Sequence, residues 1–294
     1  VAKQNQNDSK DVLAAREVGP RIRLAMSKLT EREQHITQDC LEQGRALADL
    51  SIYALAGRHN VSTAMIVKLS RHLGFDGFKQ LKRALVEYSQ LPEVDLHEEL
   101  SPSDDTATIV EKVFKTSINA LRETLEVLDY RALERAAEAL RNASAINLFG
   151  IGGSAAIALD AHHRFLRIGI RSYFTSDSHF MAMTAALLDT QGVVLGISHS
   201  GRTHALVEAF RLAKQRGATT ILITNTTHSA TSQYADILLC SVAQGSPITG
   251  ENAAARVAQL NILDVLFVLV AKSAYAQSLE NLSHTIDAVA SLRA

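Results

Sequence analysis

Residues 196–210 read GISHSGRTHALVEAF. Ser198, Ser200 and Thr203 place three hydroxyls within six residues, and Gly201 permits a tight turn among them. An apolar run, VVLGI (193–197), leads in, and an amphipathic run follows. A strand that becomes a helix here presents free N–H groups and the positive end of a helix dipole beside those hydroxyls. That combination holds an anion. Hydroxyls and amides without an obligatory lysine suit a phosphate monoester. A second polar loop, FGIGGSAA (149–156), offers Gly150, Gly152, Gly153 and Ser154 after another apolar run, AINLF. It departs from the dinucleotide-binding G-x-G-x-x-G because position 155 is Ala. The acid expected after the next strand is also displaced, RSYFTSD reaching Asp177 only after a Ser. No G-x-x-x-x-G-K-[ST] occurs. No organic cofactor is expected.

These loops need a scaffold. AINLF (145–149), RSYFT (171–175), VVLGI (193–197), TTILIT (219–224) and DILLC (236–240) are short apolar or β-branched runs. Helical patterns at 153–168, 178–188 and 203–216 separate most of them, and a long helix at about 251–275 follows. Strands that are apolar throughout and alternate with helices predict a parallel sheet covered on both faces. The expected architecture is a three-layer α/β/α domain with a five-stranded sheet. In such a sheet ligands sit at the carboxyl ends of strands, where both polar loops fall.

The first part of the chain shows only helical periodicity. Thr30-x-x-Glu33 reads as a capping box opening a helix to about Gln43. Ser51 and Ser62 are placed to cap two short helices, SIYALAGRHN and STAMIVKLSRHLG, the latter ended by Gly74. Asp76 is expected to open a further helix to about Tyr88. The tight turn Arg58–Val61, with Ala56, Val61, Ile66 and Leu69 placed to pack the pair, is helix-turn-helix spacing. Ser62, Thr63, Met65, Lys68 and Arg71 then fall on the outer face of the second helix or at its start. Arg58, Lys68, Arg71, Lys79, Lys82 and Arg83 oppose only Asp76 between 56 and 83. Positive charge gathered on such a motif fits a duplex backbone. Residues 1–90 carry 14 Lys and Arg against 10 Asp and Glu, although the whole chain has a net charge of −1.

The stretch QLPEVDLHEELSPSDDT (90–106) is acidic and proline-bearing. The expected domains are therefore a helical DNA-binding domain at 14–90, an acidic linker at 91–106 and the α/β domain at 107–294. Two distant cysteines, Cys40 and Cys240, suit a reducing compartment. The start of the chain lacks a hydrophobic signal core, and Ile262–Ala271 is too short to span a bilayer. A soluble, cytoplasmic protein that uses no membrane is expected. Eleven histidines supply no H-E-x-x-H, so no metal is expected; His162 and His163, adjacent on a helix, point about 100° apart.

FGIGGSAAIALDAHHRFLRIGI, GISHSGRTHALVEAFRLAKQRGA and GENAAARVAQLNILDVLF together resemble the sugar isomerase (SIS) domain, which binds phosphosugars. That resemblance implies ligand-binding roles for Gly152, Ser154, Ser198, Ser200, Gly201, Thr203 and Glu251. LTEREQHI, SIYALAGRHNVS and RHLGFDGFKQLK resemble the DNA-binding domain of RpiR-family regulators, which join such a domain to an SIS domain in this order. Lys68 and Leu69 stand where Arg and Phe are frequent. The expected function is a transcriptional regulator without catalytic residues. Its operator affinity would respond to a phosphorylated sugar or sugar acid, and it would bind double-stranded operator DNA as a dimer or tetramer. Ser62, Thr63, Met65, Lys68, Arg71 and Lys79 would face DNA. The rival is a phosphosugar aldose–ketose isomerase with an appended helical domain, using Glu251 as base.

Overall fold

The computed structural model describes residues 15–91, 100–243, 253–290 and 292. The chain divides into two compact units between Val127 and Leu128.

The regular elements among the described residues of the first unit are all helical. Helix α1 covers residues 15–25. It is followed by α2 (Glu31–Gln43), a 3-10 segment (Gly44–Asp49), α3 (Ile52–Arg58), α4 (Thr63–His72), α5 (Phe78–Ser89) and α6 (Thr106–Val127). The caps read from sequence form. Thr30 and Glu33 make the reciprocal capping box, Ser51 Oγ accepts from the Ala54 amide, and Ser62 Oγ accepts from the Met65 amide. Asp76 does not open α5: Gly77 occupies the N-cap position, and the Asp76 amide instead donates to Gln80 Oε1 at 2.6 Å. Buried residues of α1 to α5 build the core, including Ile22, Ile36, Leu55, Ile66, Leu69 and Leu81. Ala56, Ile66 and Leu69 are buried between α3 and α4, and Val61 packs against them half-buried, as the spacing requires.

The α3–α4 turn is braced by α2. Asn60 adopts a left-handed conformation (φ 51°), which the short polar side chain of Asn tolerates. Arg32 donates to the carbonyls of His59 and Asn60, and Asp39 bonds His59 Nε2 at 2.7 Å and pairs with Arg58. Burial pushes the Asp39 carboxyl up. Hydrogen bonds from Gln43 and His59, with the Arg58 charge, outweigh this and leave it below the usual aspartate value.

Helix α6 is fastened to this unit by a mostly buried charge. Arg23 Nη1 lies 2.5 Å from Glu123 Oε1, and both side chains are 15% exposed. The Tyr88 hydroxyl donates to the same carboxylate at 3.0 Å. Burial opposes the Arg23 charge, but Glu123 and Tyr88 more than compensate and its affinity for the proton rises.

The second unit runs α7 (Tyr130–Asn142), β1 (Ala145–Gly150), α8 (Gly153–Arg167), β2 (Ser172–Thr175), α9 (Ser178–Ala186), β3 (Gly192–Ser198), α10 (His204–Gln215), β4 (Thr219–Thr224), β5 (Ile237–Cys240), α11 (Ala253–Ser273) and α12 (Tyr275–Ala290). The five strands are parallel in the order β2-β1-β3-β4-β5. Alternate residues feed two cores. Ile146, Leu148, Val193, Leu195, Ile221 and Ile223 pack with α7, α8 and α11. Phe149, Val194 and Leu222 pack with α9 and α10. Both faces are apolar, which is why these strands read as unbroken hydrophobic runs. Helix α11 is long and apolar enough to cross a membrane by length and composition, yet Ile262, Leu263, Leu266 and Val270 pack into the sheet core. Helix α12, set off from α11 by Ala274 alone, has no counterpart in the sequence reading.

Two predictions follow from the bracing of the first unit. Glu123→Ala strands the Arg23 guanidinium and is expected to destabilise that unit by about 2–3 kcal/mol, below the range for fully buried pairs because both groups retain some exposure. A lowered urea midpoint for loss of its helical signal measures this. Because folding depresses the Asp39 carboxyl, its contribution is present above the ordinary aspartate value of about 3.9 and is lost as pH falls through the folded value. Asp39→Asn should therefore be less stable than wild type at pH 7, and the gap should close toward pH 3 in thermal melts.

Candidate functional site

β1 sits between β2 and β3, so the chain leaves β1 toward one side of the sheet and reaches β3 on the other. A crevice opens at such a switch point, at the carboxyl ends of the strands. Gly150 and Ile197 are register partners, so the loops leaving β1 and β3 start side by side.

The β1 loop turns at Gly152, which takes a left-handed conformation (φ +59°) as N-cap of α8. Ser154 follows in the first turn, half-buried, with its amide bonded to the Ile151 carbonyl at 3.2 Å. The β3 loop is more extensively hydrogen-bonded. Ser198 is buried, and its Oγ accepts from the Gly201 amide at 3.1 Å. Ser200 is exposed, and its Oγ accepts from the Arg202 amide at 3.3 Å. Both serines thus shape the turn with their oxygens while each keeps an O–H to donate. Thr203 is the N-cap of α10 but makes no side-chain cap bond, so its hydroxyl is not committed to the helix. Among the described residues the His204 and Ala205 amides, the first of α10, have no acceptor.

Neighbouring segments hold this loop in place. The His199 carbonyl accepts from the Asn225 amide at 3.0 Å and from Thr224 Oγ1 at 3.1 Å. The Gly201 carbonyl accepts from the Thr231 amide at 3.0 Å and from Thr231 Oγ1 at 2.8 Å. Gly201 has φ +59°, and a Cβ there would lie 2.2 Å from Ser229 Oγ, so no larger residue fits. A polar chain continues through Asn225 and Ser241 to Gln259 on α11.

Sequence reasoning missed one cation. Arg256, in the first turn of α11, lays its guanidinium over the start of α8: a Cβ built on Gly153 would lie 3.8 Å from Nη1. Only the packing of α11 beside α8 brings them together; its one sequence signal is a lone arginine in an alanine-rich helix start. Glu251 lies outside the described residues. Asp177 caps α9, its Oδ1 accepting from the Phe180 amide at 2.9 Å, and so acts as a helix cap. His162 Nδ1 meets Ser172 Oγ at 2.8 Å, a packing role beside β2. Among the described residues no three His, Cys, Asp or Glu side chains are grouped to hold a metal ion.

In the first unit, Ser62, Lys68, Arg71 and Lys79 are exposed, and Thr63 is half-buried. Met65 is also half-buried and packs against the core, so it faces outward only in part. The basic cluster is smaller than its sequence count. Arg58 pairs with Asp39, Arg83 with Glu87, and Lys82 donates to the Ala48 and Leu50 carbonyls. Lys68, Arg71 and Lys79 make no ion pair among the described residues.

Comparison with known proteins agrees with both halves. Residues 17–91 match the helix-turn-helix domain of the rpiR family, and residues 139–269 match the SIS domain. The chain is 38% identical to the HTH-type transcriptional regulator RpiR of Escherichia coli K12, over 91% of this chain and 90% of that protein. It is 32% identical to an uncharacterized HTH-type transcriptional regulator of Thermotoga maritima, over 93% and 98%. Among solved structures, the Vibrio vulnificus NanR protein complexed with ManNAc-6P aligns with a TM-score of 0.60 and 26% identity, over 92% of this chain and 97% of that one. The sugar isomerase domain of the RpiR transcription factor from Sphaerobacter thermophilus aligns at 0.56 and 25%, over 60% and 97%. The relatives named are regulators carrying the DNA-binding domain, which sets the isomerase reading aside. The chain belongs to the RpiR family and is a DNA-binding transcriptional regulator of the helix-turn-helix type.

Proposed function

We propose that this regulator senses a phosphorylated sugar or sugar acid in the crevice between β1 and β3. One observation carries the reading. The loop after β3 is braced from behind, while the Thr203 hydroxyl, the Ser200 O–H and the first amides of α10 remain available. Those donors suit a phosphate held at a helix start. Ser154 and Gly152, on the adjoining loop, contact the sugar, and Ser198 and Gly201 hold the turn in shape. Glu251 accepts sugar hydroxyls. NanR, which shares the two-domain fold, was solved with a phosphosugar, in keeping with this assignment.

The regulator works in the cytoplasm as a homodimer or larger homo-oligomer. Two helix-turn-helix heads read operator half-sites about one helical turn apart, with α4 in the major groove. Lys68, Arg71 and Lys79 contact backbone phosphates. Ser62 and Thr63, at the start of α4, with the exposed part of Met65, lie nearest the base edges. Effector binding changes operator affinity through a coupling of about 1–3 kcal/mol, or roughly 5–150-fold.

Ser200→Ala combined with Thr203→Ala is expected to weaken phosphosugar binding by about 2–4 kcal/mol, taking roughly 1–2 for each lost charge-assisted bond. Effector-free DNA binding should be unchanged. Calorimetry and a gel-shift titration read the two activities. If a panel of phosphosugars neither raises the melting temperature nor alters DNA affinity, the sensor assignment fails. Lys68→Ala should lower DNA affinity similarly on all sequences and reduce the salt slope of binding by about one, with effector affinity preserved.

A further inference from the structure

We infer that Arg256 supplies the positive charge of the effector crevice and makes it select the doubly ionised phosphate ester over a neutral sugar. This rests on the crevice being the effector site.

Arg256 projects from the first turn of α11 over Gly153, the first residue of α8. The start of a helix is its positive pole, and acidic groups are favoured there, not cations. A guanidinium so placed is receptive to an anion. Among the described residues no carboxylate pairs with Arg256, although Arg164, Arg211 and Lys214 in the same unit each find one. The side chain is exposed, so water screens it while the crevice is empty. A phosphate held at the start of α10, in the crevice that the β1 and β3 loops share, displaces that water and meets the guanidinium from the α8 side. The arrangement is built from the protein side. Ala254, Ala255 and Ala258 bury the small face by which α11 settles, and this carries the Arg256 guanidinium to within contact distance of the start of α8. The neutral donors of the β3 loop recognise the shape of a phosphate. Arg256 adds recognition of its charge, which the hydroxyls alone do not discriminate.

Isothermal titration of the whole chain with inorganic phosphate and with a panel of hexose 6-phosphates tests this. Wild type is compared with Arg256→Gln, Arg256→Met and Arg256→Lys, and with the Ser200→Ala, Thr203→Ala pair. Arg256→Gln and Arg256→Met should each weaken binding by about ten-fold or more, the size of one lost charge-assisted bond. Arg256→Lys should lose less, because the charge remains without the fork. Binding by the Gln variant should also depend less on salt and fall less between pH 7.5 and 5.5, where the phosphate gains a proton (pKa about 6). Melting temperatures without ligand should match wild type, since the residue is exposed. If the Gln and Met variants bind as wild type does while the Ser200/Thr203 pair loses binding, the role of Arg256 is overturned and the sensor reading stands. If wild type itself answers no phosphate probe, both are overturned.

Discussion

The first turn of any helix has backbone N–H groups that the helix cannot satisfy itself, and a parallel sheet collects such turns along one edge. Here that edge decides the chemistry of the second unit. At α9 the need is met internally, by the Asp177 carboxylate. At α10 it is not: Thr203 occupies the cap position without capping, and the first amides stay open. Everything around that helix start preserves the opening. Ser198, Thr224, Asn225 and Thr231 satisfy the polar groups of the loop behind it, so the turn keeps its shape without a ligand. A loop held this way loses little conformational freedom when it binds.

The first unit follows the same logic with a different outcome. Its turn, too, is fixed from behind, by Arg32 and Asp39 on α2. The cations drawn into that bracing are removed from the outward face. What remains is a sparse set of exposed lysine and arginine residues around a motif whose interior is apolar except for Ser70, whose hydroxyl donates to the Ile66 carbonyl. Phosphate contacts position such a motif on DNA, while base contacts specify the sequence.

Much of this was legible from the chain alone, for identifiable reasons. The five strands were found because strands buried on both faces read as apolar and β-branched runs, and their limits fall within a residue or two of those runs. Ser51, Ser62 and the Thr30–Glu33 box were legible because capping is local. Asp76 misled for the same reason: a capping residue stood in range, but Gly77 took the position. Contacts between distant segments left no mark. Nothing local announces that Arg58 belongs to Asp39, that Arg23 belongs to Glu123, or that Arg256 overlies Gly153. Arginines are ambiguous in sequence because the same residue type serves interior pairing, phosphate contact and helix ends. The boundary between α11 and α12 was missed because a single alanine, without Gly or Pro, separates them.

The fastening of α6 has a mechanical consequence. Its 22 residues make a rod about 33 Å long at 1.5 Å per residue. With Glu123 locked to Arg23 and Tyr88, the rod turns as one piece with the DNA-reading head. Only Leu128 and Asp129 lie between it and α7, so the chain passes from the rod into the next helix through two residues. Two residues span at most about 7 Å, so a movement of α7 reaches the rod with little slack to absorb it.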